Sequence, residues 1–167
     1  MHAVVVFESL WGNTEQLARE IAAGIGGEQT EVVGAASAPS ALDSDVDLLV
    51  VGGPTHAFSM STGSTRESAK QQGAEHLPAR GIREWIETLT TPGRAVPVAT
   101  FDTRVVSPRL PGSAAKKAMK RLVTLGFRPI AKPETFGVHG YTGPVADGEL
   151  ERASHWGAEL ARLMSHR

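Results

Sequence analysis

Ala3-Val4-Val5-Val6-Phe7-Glu8-Ser9-Leu10-Trp11-Gly12-Asn13-Thr14 is the stretch on which the fold turns. Ala3–Phe7 is an unbroken apolar run rich in β-branched valine, the pattern of a strand covered on both faces. From Asn13 to Ile25 the period changes: Leu17, Ile21 and Ile25 recur at i, i+4 and i+8, with Ala18 and Ala22 beside them and Glu15, Gln16, Arg19 and Glu20 on the other side. That is an amphipathic helix, and Gly24, Gly26 and Gly27 are read as its end. Between strand and helix lie Ser9 to Thr14, short hydroxyl and amide side chains with one glycine, where the helix opens. A helix N-terminus has unpaired N–H groups and a partial positive charge, so it favours a phosphate. Ser9 and Thr14 can donate to phosphate oxygens, and Gly12 lets backbone amides come close. The loop holds no lysine and the GxxxxGK[ST] pattern is absent, so hydrogen bonds alone would hold the anion. The competing reading is a plain helix cap made by Asn13 or Ser9, and these residues alone leave both readings open.

Outward from this stretch, strands and helices alternate. Thr30–Val33 reads as a second strand and Val46–Val51 as a third, closed by Gly52-Gly53-Pro54. Thr55–Arg80 is polar and too long for an ordinary connection, and is read as a mobile surface insertion, with a lid or an oligomer contact as its functional alternative. Gly81–Leu89 gives a short helix, Ala95–Phe101 a fourth strand and Gly112–Leu125 a basic amphipathic helix. A fifth strand falls within Arg128–Val138, and Glu149–Met164 is the closing helix. Five strands alternating with helices over residues 1–167 imply one α/β domain, a three-layer doubly wound parallel sheet. Its ligand loops lie at the carboxyl ends of the first, third and fourth strands.

Composition removes several chemistries. The 167 residues include no cysteine, so disulfides, thiolate metal sites and a cysteine nucleophile are excluded. No His and carboxylate group has metal-ligand spacing, and no G-x-S-x-G elbow is present. The N-terminus lacks a basic region before its short apolar run, and no stretch approaches the roughly 18 apolar residues of a membrane span. A cytoplasmic protein without membrane contact is expected. Lys and Arg number 17 against 18 Asp and Glu, a formal net charge of −1. With the basic residues read as dispersed, nucleic-acid binding has no electrostatic support.

The second loop, Gly52-Gly53-Pro54-Thr55-His56-Ala57-Phe58, adds to the first. Together they resemble the flavodoxin family, in Ser9, Trp11, Gly12, Asn13 and Thr14, then in Gly53, Pro54, Thr55, His56 and Phe58. The resemblance implies strand order 2-1-3-4-5, FMN phosphate on the first loop, with Leu10 within it, and the isoalloxazine ring beside the second, with Ala57 within it. The first loop departs from the common T-x-T-G-x-T form by placing Trp11 at the middle hydroxyl, which removes a phosphate donor. The third loop, Phe101-Asp102-Thr103-Arg104, stands where the family carries a ring-facing tyrosine and contacts to the pyrimidine edge. Here Phe101 is the expected ring contact and Asp102, by its side chain or its backbone, the acceptor for flavin N3–H, against the plainer roles of core residue and of turn residue paired with Arg104. The single tyrosine, Tyr141, is read as lying elsewhere.

The resemblance implies an electron carrier working between a reductase and an acceptor protein, as a monomer or weak homo-oligomer. Two alternatives stay open: an FMN-dependent NAD(P)H:quinone-type reductase, and a fold that no longer binds flavin and serves as a binding module. His56 is read either as a group coupling proton uptake to reduction or as an ordinary surface histidine. Lys116–Arg121 is read as a solvated helix face or as a docking patch for an acidic redox partner. Low aromatic content and near-zero net charge imply a less negative potential than that of typical acidic flavodoxins.

Overall fold

A computed structural model describes residues 1–75, 77–90 and 92–166. The first half runs β1 (Ala3–Phe7), α1 (Asn13–Ile25), β2 (Thr30–Gly34), β3 (Leu48–His56), β4 (Ser59–Met60), α2 (Gly63–Gln71) and α3 (Ile82–Thr88). The second half runs β5 (Pro97–Val105), α4 (Ala114–Thr124), β6 (Arg128–Pro129), β7 (Glu134–Val138) and α5 (Glu149–Ser165). The sheet order is β2-β1-β3-β5-β6, with β7 paired farther along β5 and β4 folded back antiparallel on β3. With two-residue β4 set aside and β6 and β7 taken as one interrupted strand, this is the expected 2-1-3-4-5 order. The interruption has a cause in Pro129 and Pro133, which have no N–H to give the ladder.

Alternate residues of β1 serve opposite layers. Val4 and Val6 pack with Leu49, Val51 and Val98 under α3 and α4, while Ala3 and Val5 pack with Leu48, Val50, Ala99 and Phe101 under α1 and α5. On the second face Phe101, Phe136 and Trp156 meet edge to face, with ring centroids 6.1 to 6.3 Å apart.

Three sequence expectations need correction. β3 does not end at the glycines: Gly52, Gly53 and Pro54 pair with Phe101, Asp102 and Thr103, so both strands run on to His56 and Val105. The glycines are packing residues, since a Cβ on Gly52 would lie 2.1 Å from the Phe101 ring. Likewise Gly24 does not end α1. Its Cβ would lie 1.9 Å from the Ser154 carbonyl, and that of Gly157 2.1 Å from the Ile21 carbonyl, so α1 and α5 cross backbone against backbone.

Third, the polar stretch read as a mobile insertion contains β4 and α2. Thr62 caps α2, accepting from Thr65 N–H at 3.2 Å, while the Thr65 hydroxyl accepts from Thr62 N–H at 2.8 Å. Arg83 donates to the carbonyls of Ser61 (3.0 Å) and Met60 (2.6 Å), and Arg80 to that of Ala35 (2.9 Å). No helix among the described residues is long and apolar enough to cross a membrane.

The crossing of α1 and α5 can be tested by a substitution whose sign depends on it. In an open helix Gly→Ala stabilises by roughly 1 kcal/mol. At Gly157 the added methyl meets a carbonyl that cannot withdraw, and overpacking of this kind costs about 1–3 kcal/mol. Gly157→Ala is therefore expected to lower the urea midpoint, and a raised midpoint would refute the backbone contact.

Candidate functional site

A cavity of about 430 Å³ opens at the carboxyl end of the sheet, against the N-terminus of α1. Its wall takes Leu10, Trp11, Asn13 and Thr14 from the first loop and Pro54, Thr55, His56, Ala57 and Phe58 from the end of β3 and the turn after it. Thr103, Arg104 and Val105 come from the end of β5. On its floor the hydroxyls of Thr14 and Thr103 are 3.0 Å apart, tying the first loop to β5. The Thr55 hydroxyl accepts from Ala114 N–H at 3.2 Å, seating the start of α4 at the same place.

The N-terminus of α1 is not closed by a side chain. Its N-cap is Gly12, with φ of 90°, and among the described residues no side chain accepts from the first-turn amides. The helix-cap reading of Ser9 is thus corrected: its Oγ accepts at 3.1 Å from Gly12 N–H, which shapes the turn and leaves the helix amides free of it. α2 and α4, by contrast, are capped by Thr62 and Ser113. Ser9 and Gly12 form the turn and are not in the cavity wall, whereas Asn13 and Thr14 are.

The side chains of two expected flavin contacts face elsewhere. Phe101 is fully buried in the core against Phe136 and Trp156. Asp102 is also fully buried; its Oδ2 accepts from the Ser113 hydroxyl at 2.5 Å and from Ala115 N–H at 3.0 Å, so it serves the start of α4. Arg104 does not pair with Asp102 but donates to the Gly112 carbonyl at 2.7 Å, drawing the 106–112 loop over the cavity. Extended β5 separates Phe101 from the other two, because alternate residues of a strand face opposite sides: Phe101 enters the layer of α1 and α5, while Asp102 and Arg104 reach the start of α4 and the loop before it.

Other residues in the wall were not foreseen. Tyr141, read as remote, lies in it, carried by a loop in which a Cβ on Gly143 would sit 2.3 Å from Asn13. α2 contributes Thr65, Ser68 and Ala69, its C-cap contributes Gln72, and the 106–112 loop contributes Leu110. A sequence signal for α2 existed in Thr62 and Thr65 at capping-box spacing. Nothing local marked Tyr141. Phe58 and Tyr141 are 52% and 68% exposed, so aromatic surface stands at the rim.

The turn that presents Phe58 is strained. Ala57 and Phe58 have φ of 45° and 69°, the left-handed pair of a two-residue hairpin that ordinarily takes Asn-Gly. Each such residue costs roughly 1–2 kcal/mol. Gly112 presses on the turn from outside, since its Cβ would come within 2.3 Å of the Phe58 carbonyl. His56 Nδ1 lies 3.2 Å from the Thr65 hydroxyl. Burial, and then the Arg66 charge, lower its pKa.

Beneath the site Glu8 is buried, only 1% exposed. It accepts at 2.9 Å from Ile82 N–H at the start of α3, and also from the Ser61 hydroxyl. Arg66, 6% exposed, donates to Ser61 at 2.8 Å and pairs with Glu84. Among the described residues no group of three or more His, Asp or Glu side chains could hold a metal ion.

Among solved structures the chain is similar to flavodoxin 1 from Bacillus cereus, with a TM-score of 0.70 and 18% identity over 97% of this chain and 98% of that one. The chain has the flavodoxin fold. A flavodoxin from the domain Archaea aligns at TM-score 0.66 and 18% identity over 99% of this chain and all of that one. A flavodoxin, WrbA-like protein from Agrobacterium tumefaciens aligns at TM-score 0.56 and 17% identity, over 99% of this chain and 98% of that one. No family model matches the sequence, and no curated protein does.

Burial raises the Glu8 pKa, against the lowering effects of the Ser61 and Ile82 hydrogen bonds and the Arg66 charge. A carboxyl with a raised pKa in the folded state binds more protons there than when unfolded, so its contribution to stability falls as pH climbs from the ordinary glutamate range to the raised value. Glu84 and Glu149, whose pKa values are lowered, act oppositely as pH falls. Subtraction isolates Glu8: the stability of wild type relative to Glu8→Gln is expected to decline in urea titrations as pH rises above the ordinary glutamate range. A difference that stays flat over that rise would contradict this.

Proposed function

We propose that this chain binds FMN in the cavity at the carboxyl end of the sheet and carries electrons between proteins. One observation carries the reading: a single cavity joins the uncapped N-terminus of a 13-residue helix to exposed aromatic side chains. An anionic group suits the first and a flat conjugated ring the second. The flavodoxins among the similar structures support the choice of FMN over other phosphorylated aromatics.

When bound, FMN would supply reversible one- and two-electron chemistry. This chain's residues would hold and tune it. The amides of Asn13 and Thr14 and the Thr14 hydroxyl suit the phosphate, with Ser9 and Gly12 setting the turn that aims them. Trp11, packed against Leu10, Ala69 and Ala74, would shield that loop on the α2 side, and the exposed Phe58 and Tyr141 would meet the ring. The described wall holds one cation, Arg104, and no carboxylate. Such a lining favours a ligand that gains negative charge on reduction, which supports a less negative potential.

Titration of the ligand-free protein with FMN and with riboflavin tests the site. Loss of the Thr14 hydroxyl in Thr14→Ala removes a hydrogen bond to a charged group, worth about 1.5–3 kcal/mol, so FMN affinity should fall about tenfold or more with riboflavin affinity little changed. Equal losses for both would mean that Thr14 serves the loop alone. Wild-type protein that binds neither, with no flavin absorption bands, would remove the reading altogether.

A further inference from the structure

The net charge of −1 conceals a segregation, and the even spread of basic residues expected from the sequence needs correction. Residues 103–133 carry eight Lys or Arg and no Asp or Glu, while the rest of the chain holds nine Lys or Arg and all 18 carboxylates. The fold concentrates part of this block beside the cavity. The 106–112 loop lines the opening through Ser107, Pro108, Leu110 and Pro111, and Thr55 holds the first amide of α4 against it. Arg109, Lys116, Lys117 and Lys120 are all exposed there. Arg121 is paired with Glu87 at 3.0 Å, whereas none of these four makes an ion pair among the described residues. Arg128 is at the opposite end of the sheet, on the strand that pairs with Pro97 and Val98, and takes no part.

Within this basic patch two apolar side chains are exposed, Val106 at 43% and Leu110 at 55%. We propose that the 106–120 face is a docking surface for a partner protein with an acidic surface, seated over the mouth of the cavity. Charge complementarity selects the partner's sign, and apolar groups amid a charged rim are the anatomy of a protein interface. A long polyanion fits less well, because the remainder of the molecule is acidic and the patch presents no row of aromatic side chains for bases to stack on. That a docked partner faces bound FMN rests on the reading above; the docking itself does not.

The probe is a small acidic two-iron ferredoxin, titrated calorimetrically into the full chain at 20 and 200 mM salt, with and without FMN. Binding should weaken severalfold at the higher salt, as opposed charges are screened. The triple variant Lys116→Glu, Lys117→Glu, Lys120→Glu should lose at least tenfold at 20 mM, and Arg109→Glu alone should lose part of that. Absence of binding, binding indifferent to these substitutions, or equal binding of the basic carrier cytochrome c would overturn the proposal. So would tighter binding of a 20-base-pair duplex through the same lysines. FMN titration of the same preparations is read separately: docking without flavin affinity retires the cofactor and keeps the surface, and flavin affinity without docking does the reverse.

Discussion

The carboxylate of Glu8 is the point from which the cavity is held open. A buried charge is costly unless it is both paired and hydrogen-bonded. Here the carboxylate meets the positive end of α3 through Ile82 N–H, the Ser61 hydroxyl, and through Ser61 the Arg66 guanidinium. Those partners belong to the segment between β3 and α3, which has little apolar surface of its own. One side chain at the end of β1 thereby fixes the placement of β4, α2 and the start of α3, and with them a whole wall of the cavity. Gly81 fits the same arrangement, since a Cβ there would lie 2.1 Å from the Glu8 carboxylate.

Regular elements were legible because burial repeats with their period. The bounds of β1 and α1 follow from valine continuity and from Leu17, Ile21 and Ile25, and both agree with the structure. Errors came where one residue type serves two ends. Gly52, Gly53 and Gly24 read as terminators, yet they sit inside elements because the Phe101 ring, the Ile82 side chain and the Ser154 backbone respectively occupy the space of a side chain. The extent of β5 was missed for a related reason: Asp102 and Thr103 look like turn residues until their partners on β3 are known.

The candidate site was legible in its first two loops and not in the rest. Asn13, Thr14, Thr55 and Phe58 are local to strand ends, and a strand-loop-helix pattern places them at one edge of the sheet. Tyr141 reaches the cavity only because the loop bearing it leans on Asn13, a contact between residues far apart in sequence. Glu8 looked like the start of a loop for the same reason, since its partners lie more than 50 residues away. Total charge was equally uninformative, because a balanced sum carries no record of where the opposite signs stand.

The contact of Gly24 and Gly157 with the facing backbones bears on how much order a ligand must create. Side chains can slide or change rotamer, but two main chains in contact have no such freedom. The helix whose first turn faces the cavity is thus held against α5 at its far half, where Ile21, Gly24 and Ile25 meet the facing backbone. An anion arriving there meets donors already in place, and its binding energy is not diverted to arranging them. The strained turn at Ala57 and Phe58 stands at the opposite rim, pressed by a loop and not by a helix. The two rims of the pocket are thus built differently, one on helix-to-helix backbone contact and the other on a strained turn held by a loop.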